Sequence, residues 1–176
     1  MAEKRLKKRT TVWLCVTALF MAINIVMSMS IFSIPVPGGH LYLNDIIICV
    51  ASILLDPFGA FMVGGVGAFL GDFFFYPTPM FVSLVTHGLQ AVSISLISHY
   101  TLKKHPAVAS GIGVTVGAVI MIAGYSIGRA FFYSTPETAL IKLPYQTLQA
   151  AVGAVFGMLI CWKLGIRKLF NKLMEK

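Results

Sequence analysis

Apolar runs of about 20 residues, nearly free of charge, recur along the whole of this 176-residue chain. A hydrocarbon layer of about 30 Å takes about 20 residues of helix to cross, so runs of this length are candidate membrane spans. Inside lipid every backbone polar group needs an internal partner, which leaves a helical bundle as the class open to several such runs. Composition agrees: 57% of residues are hydrophobic and 11% charged, against about a quarter charged in soluble domains. Mean hydropathy is +0.85.

Six spans are read. The first covers about Thr11 to Ile31 and stops at the Pro/Gly-rich Ile34-Pro-Val-Pro-Gly-Gly-His40. The second, about Leu43 to Leu55, is short for a crossing, so a merger with the next is conceivable. Asp56-Pro57 inside one continuous helix would be costly, however, and that pair reads instead as a stop followed by a helix-starting proline. The third covers about Phe58 to Phe75 and ends at Tyr76-Pro-Thr-Pro79. The fourth runs from about Met80 to Tyr100, and Thr101-Leu-Lys-Lys-His-Pro106 links it to the fifth, about Ala107 to Tyr133. The sixth begins between Glu137 and Tyr145 and ends near Trp162. The fold expected is an all-α membrane protein, a single domain over residues 1–176 with basic tails at 1–10 and 163–176.

Six crossings put both termini on one side, and basic residues choose it. Lys4, Arg5, Lys7, Lys8 and Arg9 precede the first span, Lys103 and Lys104 lie between the fourth and fifth, and Lys163, Arg167, Lys168, Lys172 and Lys176 follow the sixth. Only Lys142 falls in an opposite-side loop, so both termini are expected in the cytoplasm. The net charge of +8 is then a topology signal with some affinity for anionic lipid, and no basic-aromatic interleaving points to nucleic acid. The basic leader resembles that of a signal peptide, but the apolar stretch is longer than an h-region and no A-x-A-like site follows. Cys15, Cys49 and Cys161 are odd in number, lie within spans and form no C-x-x-C, so neither a disulfide framework nor a metal site is implied.

An ionisable or amide side chain within a span is expensive and marks function by default. In this topology Asn44 and Asp45, Asp72, His87 and Gln90, Tyr125 and Arg129, and Gln146 and Gln149 all fall toward the outer side, on five different helices. The inner half has far fewer, with His99 near the inner end of the fourth span and Asn24 near the middle of the first. Residues three or four apart share a helix face, which groups Ser83, His87 and Gln90, then Tyr125 and Arg129, then Gln146 and Gln149. His40 belongs to the glycine-containing loop above them. Structural roles compete at each position. Arg129 would also serve as a strut paired to Asp72 or Asp45, His87 as a helix-to-helix hydrogen-bond partner, Asn44 and Asp45 as an N-terminal cap, and the glutamines as packing. Phe73, Phe74, Phe75, Tyr76, Phe131, Phe132 and Tyr133 would stack on a flat ring or form an ordinary interfacial belt. Shared depth, more than any single residue, argues for a binding site.

Small residues four apart let helices approach closely in lipid. Ala60, Gly64 and Ala68, with Gly67 and Gly71 beside them, do so in the third span; Gly113 and Gly117, then Gly124 and Gly128, in the fifth; and Ala150, Gly153, Ala154 and Gly157 in the sixth. Ala18 and Ala22 form such a pair in the first.

With Ala18-x-x-x-Ala22, a glycine-containing loop before Leu41-Tyr-Leu-Asn-Asp45, and Asp56-Pro-Phe-Gly-Ala-Phe-Met-Val-Gly-Gly-Val-Gly-Ala-Phe-Leu-Gly-Asp72 followed by His87-Gly88, the chain resembles the S components of energy-coupling factor (ECF) transporters over essentially its whole length. The riboflavin-type branch, with its pyridoxine and hydroxymethylpyrimidine carriers, is the most similar. The resemblance implies a bacterial plasma-membrane protein that binds a vitamin from outside, and a partner T component with two ATPases that drives uptake. It also implies that the Ala18/Ala22 face packs on the T component. No cofactor is implied, and the chain has no G-x-x-x-x-G-K-[S/T] loop, so energy must come from partners. Two other readings stay open: a stand-alone small-solute carrier or channel, and, more remotely, an intramembrane enzyme using His87 and Asp72, although no nucleophile is paired with a base at convincing spacing.

Overall fold

The computed structural model describes residues 2–29 and 33–175, with residues 2–9 given by backbone alone. Ile31, the expected end of the first span, and Lys176 lie outside the described residues, as do the side chains of the basic leader. Seven helices are present among the described residues: α1 (Ala2–Met27), α2 (Asn44–Leu54), α3 (Pro57–Phe75), α4 (Met80–Tyr100), α5 (Pro106–Tyr133), α6 (Pro136–Lys163) and α7 (Ile166–Glu175). A two-stranded antiparallel hairpin, β1 (Ile34–Val36) and β2 (Gly39–Leu41), joins α1 to α2. Pro37 and Gly38 make its two-residue turn, where Gly38 holds φ +81°, as the second central position of a type II turn requires.

Five helices, α1 (from Thr10), α3, α4, α5 and α6, are long and apolar enough to cross a membrane. The second expected span is a helix of only 11 residues, about 16 Å long and half the hydrocarbon thickness. Its separation from α3 is as expected: Leu55 is extended, and Asp56 caps α3 through its Oδ2, which accepts from Phe58 N at 3.3 Å, with Pro57 in the first turn. Asp56 Oδ1 also accepts from Trp13 Nε1 at 2.6 Å, tying α1 to this corner.

Short α2 is buried on every side by α1, α3, α4 and α6, with Ile48, Ala51, Ser52 and Ile53 at 0% exposure. A helix apolar all round belongs in a core. Glycines let the long helices close on it. A Cβ at Gly153 of α6 would fall 2.6 Å from Asp45 Cβ, and one at Gly157 2.6 Å from Cys49 Cβ. At Gly64 of α3 it would lie 2.6 Å from Ala91 Cβ of α4, and at Gly124 of α5 2.6 Å from Thr86 Oγ1. The small-residue stripes of α3, α5 and α6 therefore pack the bundle. Ala18 and Ala22 differ: both are exposed, on the side of α1 that also bears exposed Leu14, Leu19 and Val26.

Three wide π turns, Met62–Val66 in α3, Arg129–Tyr133 in α5 and Leu159–Lys163 in α6, have no counterpart in the sequence reading. Such turns disturb the i to i−4 ladder. In α3 the carbonyl of Val63 instead accepts from Asn24 Nδ2 of α1 at 2.7 Å, which gives Asn24, at 0% exposure, a packing role.

Candidate functional site

Because α2 is short, a hollow remains beyond its first residues, between the ends of α3, α4, α5 and α6 and under the hairpin. A cavity of about 260 Å³ fills it. Asn44 lies at the start of α2, where the first N–H groups of the helix have no intrahelical acceptor and the dipole is positive. The preceding residue, Leu43, supplies no side-chain cap. Asp45 does not cap the helix either, contrary to the structural alternative.

Eight of the ten polar residues singled out in the sequence line this cavity: His40, Asn44, Asp72, His87, Tyr125, Arg129, Gln146 and Gln149. The other two, Asp45 and Gln90, do not line it. They lie behind the wall at 1% exposure each, and their hydrogen bonds fix the groups that do. Gln90 Nε2 donates to Asp45 Oδ1 at 3.0 Å, and Gln149 Nε2 donates to Asp45 Oδ2 at 2.6 Å. A carboxylate only accepts, so both amides are oriented by Asp45. Gln90 Oε1 then faces His87 Nδ1 at 2.7 Å, which must be the protonated nitrogen. Gln149 Oε1 accepts from the backbone N–H of Tyr42 at 3.0 Å, just after β2. One buried carboxylate thus makes Nδ1 of the His87 ring a donor and anchors the root of the hairpin.

A second chain lies on the α3 side. Ser83 donates to the Asp72 carboxylate, so its oxygen, 2.5 Å from Tyr125 Oη, accepts from the phenol. The Tyr125 ring meets His87 edge-on with centroids 5.2 Å apart. Arg129 pairs with neither Asp72 nor Asp45. Its Nη1 donates to Gln146 Oε1 at 3.4 Å and its guanidinium lies over the Tyr133 ring at 5.6 Å, while Gln146 Nε2 donates to Ile122 O at 2.7 Å.

Lys142, expected in a loop, lies instead in a helix. α6 already begins at Pro136, so Lys142 sits within it, 3% exposed, and its Nζ donates to His40 O at 2.5 Å. It lines the cavity and pins the hairpin to α6. The spacing Lys142, Gln146, Gln149 places all three on one helix face, a pattern open to reading before the structure. Tyr42, Thr138 and Ser28 also line the cavity and were not singled out. Burial, with Asp72 nearby, raises the Tyr42 hydroxyl to about 12, so it remains a neutral donor over the biological pH range. Of the seven aromatics expected at an interfacial rim, Tyr76 and Tyr133 line the cavity. Phe73, Phe74, Phe131 and Phe132 are 50 to 78% exposed on the outside, as belt residues are.

Two residues of the lining, Asn44 and Tyr133, carry a buried side-chain oxygen without a hydrogen-bond partner, and Asn44 is the one at the start of α2. Its Oδ1 is buried and has no hydrogen-bond partner, at a position where the side chain borders the cavity. A buried acceptor without a partner costs about 1–3 kcal/mol, which a donor on a bound molecule would recover. The walls are polarised, with Asp72 on α3 opposing Arg129 and Lys142 on α5 and α6. Among the described residues no group of three His, Cys, Asp or Glu could hold a metal ion.

A family model described as "ECF-type riboflavin transporter, S component" matches residues 8–165, nearly the whole chain. The chain belongs to this family. It is therefore a multi-pass membrane protein of the substrate-binding kind, a vitamin-binding subunit that works with a T component and ATPases, and not an enzyme. Comparison with curated proteins finds no match. In the hairpin-covered cavity, buried donors, acceptors and rings from α2 to α6 face a common space.

Proposed function

We propose that this S component captures a small, flat, hydroxyl-bearing heterocyclic vitamin of pyridoxine or hydroxymethylpyrimidine type, and hands it to a T component and two ATPases for uptake. The observation that carries this is the cavity itself: about 260 Å³, at the small end of ligand pockets, which run from roughly 300 to 1,000 Å³. Its lining offers an acceptor wall at Asp72, a donor wall at Arg129 and Lys142, the Asn44 amide, and the Tyr76, Tyr125 and Tyr133 rings. Ring hydroxyls and a ring nitrogen would satisfy these groups, whereas a fatty or polyanionic molecule would leave them stranded. A second reading is riboflavin, favoured by the description of the matched family; the volume favours one ring over three fused ones.

In this account the chain is one transmembrane domain over residues 1–176 with six crossings, α2 making the second, and with basic ends 1–10 and 163–176 in the cytoplasm of a bacterial cell. Ligand contacts fall to His87, Arg129, Gln146, Gln149, Asp72, Asn44, Tyr125 and His40, supported from behind by Gln90 and Asp45. The exposed Ala18/Ala22 stripe meets the T component, since small residues left bare on a peripheral helix admit a partner helix closely. The test is an Ala22→Trp variant, assayed for vitamin binding alone and for uptake with its partners. Retained binding with lost uptake supports the reading. Uptake by the purified chain in liposomes without partners would instead make it a stand-alone carrier, and equal loss of both would place Ala22 in the bundle.

A further inference from the structure

Beyond α6 the chain forms one more element that vitamin capture does not use. The π turn Leu159–Lys163 ends α6, Gly165 reverses the chain at φ +75°, and α7 follows as Ile166–Glu175. A Cβ at Gly165 would touch nothing within 4 Å, so the glycine is there for the left-handed backbone alone. At 100° per residue, Ile166, Leu169, Phe170, Leu173 and Met174 fall on one face of α7, and Arg167, Lys168, Asn171, Lys172 and Glu175 on the other.

Only part of the apolar face is used by the protein. Phe170 is buried, and Ile166 and Met174 pack with it against the core cluster containing Val50, Leu54 and Cys161. Leu169 and Leu173 remain 55% and 45% exposed, next to Leu164 at 74%. The polar face divides likewise. Arg167 is held by the protein, its guanidinium 4.6 Å from the Trp162 ring centroid and its Nη1 3.4 Å from Ser110 Oγ at the start of α5. Lys168 and Lys172 are exposed. The Ser110 contact also sets α7 beside the loop bearing exposed Lys103 and Lys104, and exposed Lys163 precedes it.

We propose that α7 is an interfacial helix that docks on an anionic phospholipid surface, with Leu164, Leu169 and Leu173 in the acyl boundary and Lys163, Lys168 and Lys172, with Lys103 and Lys104, at the headgroups. Only two residues separate the helix from the end of a membrane-spanning one, so its open apolar strip lies at the depth where headgroups meet acyl chains. Five exposed lysines at that end match a negative surface, each shifting lipid preference about fivefold. The amphipathic pattern, with cations bordering leucines, is that of helices lying in the membrane plane. The inference does not depend on which vitamin the cavity takes.

The experiment is spin-label accessibility on the full chain with Cys15 replaced by Ser, in nanodiscs of neutral phosphatidylcholine or with about a third phosphatidylglycerol. Labels are placed singly by Leu173→Cys and Asn171→Cys. The proposal expects the residue 173 label to be reached by oxygen and shielded from a water-soluble nickel chelate, the 171 label to show the reverse, and the contrast to grow in anionic discs. A Lys168→Glu/Lys172→Glu double variant should erase that growth while leaving vitamin binding unchanged. Equal nickel accessibility at both positions would mean that α7 lies in water, and shielding of residue 173 from both reagents that protein covers it; either overturns the proposal. Identical profiles in the two lipids would overturn its electrostatic half.

Discussion

Replacing Asp45 by Asn removes one oxygen acceptor from a buried junction without changing its shape. The Asp45 oxygens accept from Gln90 Nε2 at 3.0 Å and Gln149 Nε2 at 2.6 Å, and the residue is 1% exposed. In Asp45→Asn one of these amides faces an NH₂ group and must turn over. If Gln149 turns, its Oε1 leaves Tyr42 N–H and the root of the hairpin is released. If Gln90 turns, its Nε2 meets His87 Nδ1 and the ring must move its proton to Nε2, reversing what it presents to the cavity. A hydrogen bond to a charged group is worth about 1.5–3 kcal/mol, so ligand affinity should fall roughly ten- to a hundredfold, more than for a surface acidic change. Titration calorimetry on the purified variant measures the loss, and nitrogen-15 chemical shifts of the His87 ring report its tautomer. An unchanged affinity together with an unchanged His87 tautomer would refute the reasoning. Weaker binding with the tautomer and hairpin protection both intact would reduce Asp45 to a packing residue.

Lys142→Met should free the hairpin from α6, because Nζ holds His40 O at 2.5 Å; amide exchange across residues 39–41 should quicken roughly tenfold or more, and the protection by vitamin expected of that segment in the parent should be lost. On the topology, single cysteines at Gly39 and Glu137, both exposed beside the cavity mouth, should react with an impermeant thiol reagent in intact cells. Labelling only after permeabilisation would invert the orientation drawn from the basic residues.

Long periodic features were legible in the sequence because they answer to lipid thickness: α4 occupies Met80–Tyr100 as read, and the Asp56-Pro57 break stands. Depth likewise gathered eight of ten polar residues into the cavity before any geometry was known. What escaped was what depends on tertiary partners. Asp45 and Gln90 share the depth of the others, and only the directions of their hydrogen bonds show that they stand behind the wall. Lys142 looked like a loop residue, since the start of the sixth span was left open between Glu137 and Tyr145. The π turns have no marker at all, because Val63 gives its carbonyl to Asn24 across a helix interface. A helix does lie where the second span was read, at Asn44–Leu54, but it is too short to count among the five able to cross a membrane, and that shortness, the cause of the cavity, had looked like a weakness of the reading.

The most direct test is titration calorimetry of the purified chain against pyridoxine, hydroxymethylpyrimidine, riboflavin and pantothenate, repeated with His87→Ala, Arg129→Ala, Gln146→Ala and Asp72→Asn. Tight binding of one of the first two by the parent is expected, weakened at least tenfold in each variant, since a stranded buried partner costs about 1–3 kcal/mol. Tight binding of riboflavin or pantothenate instead, or parental affinity in all four variants, would contradict the account.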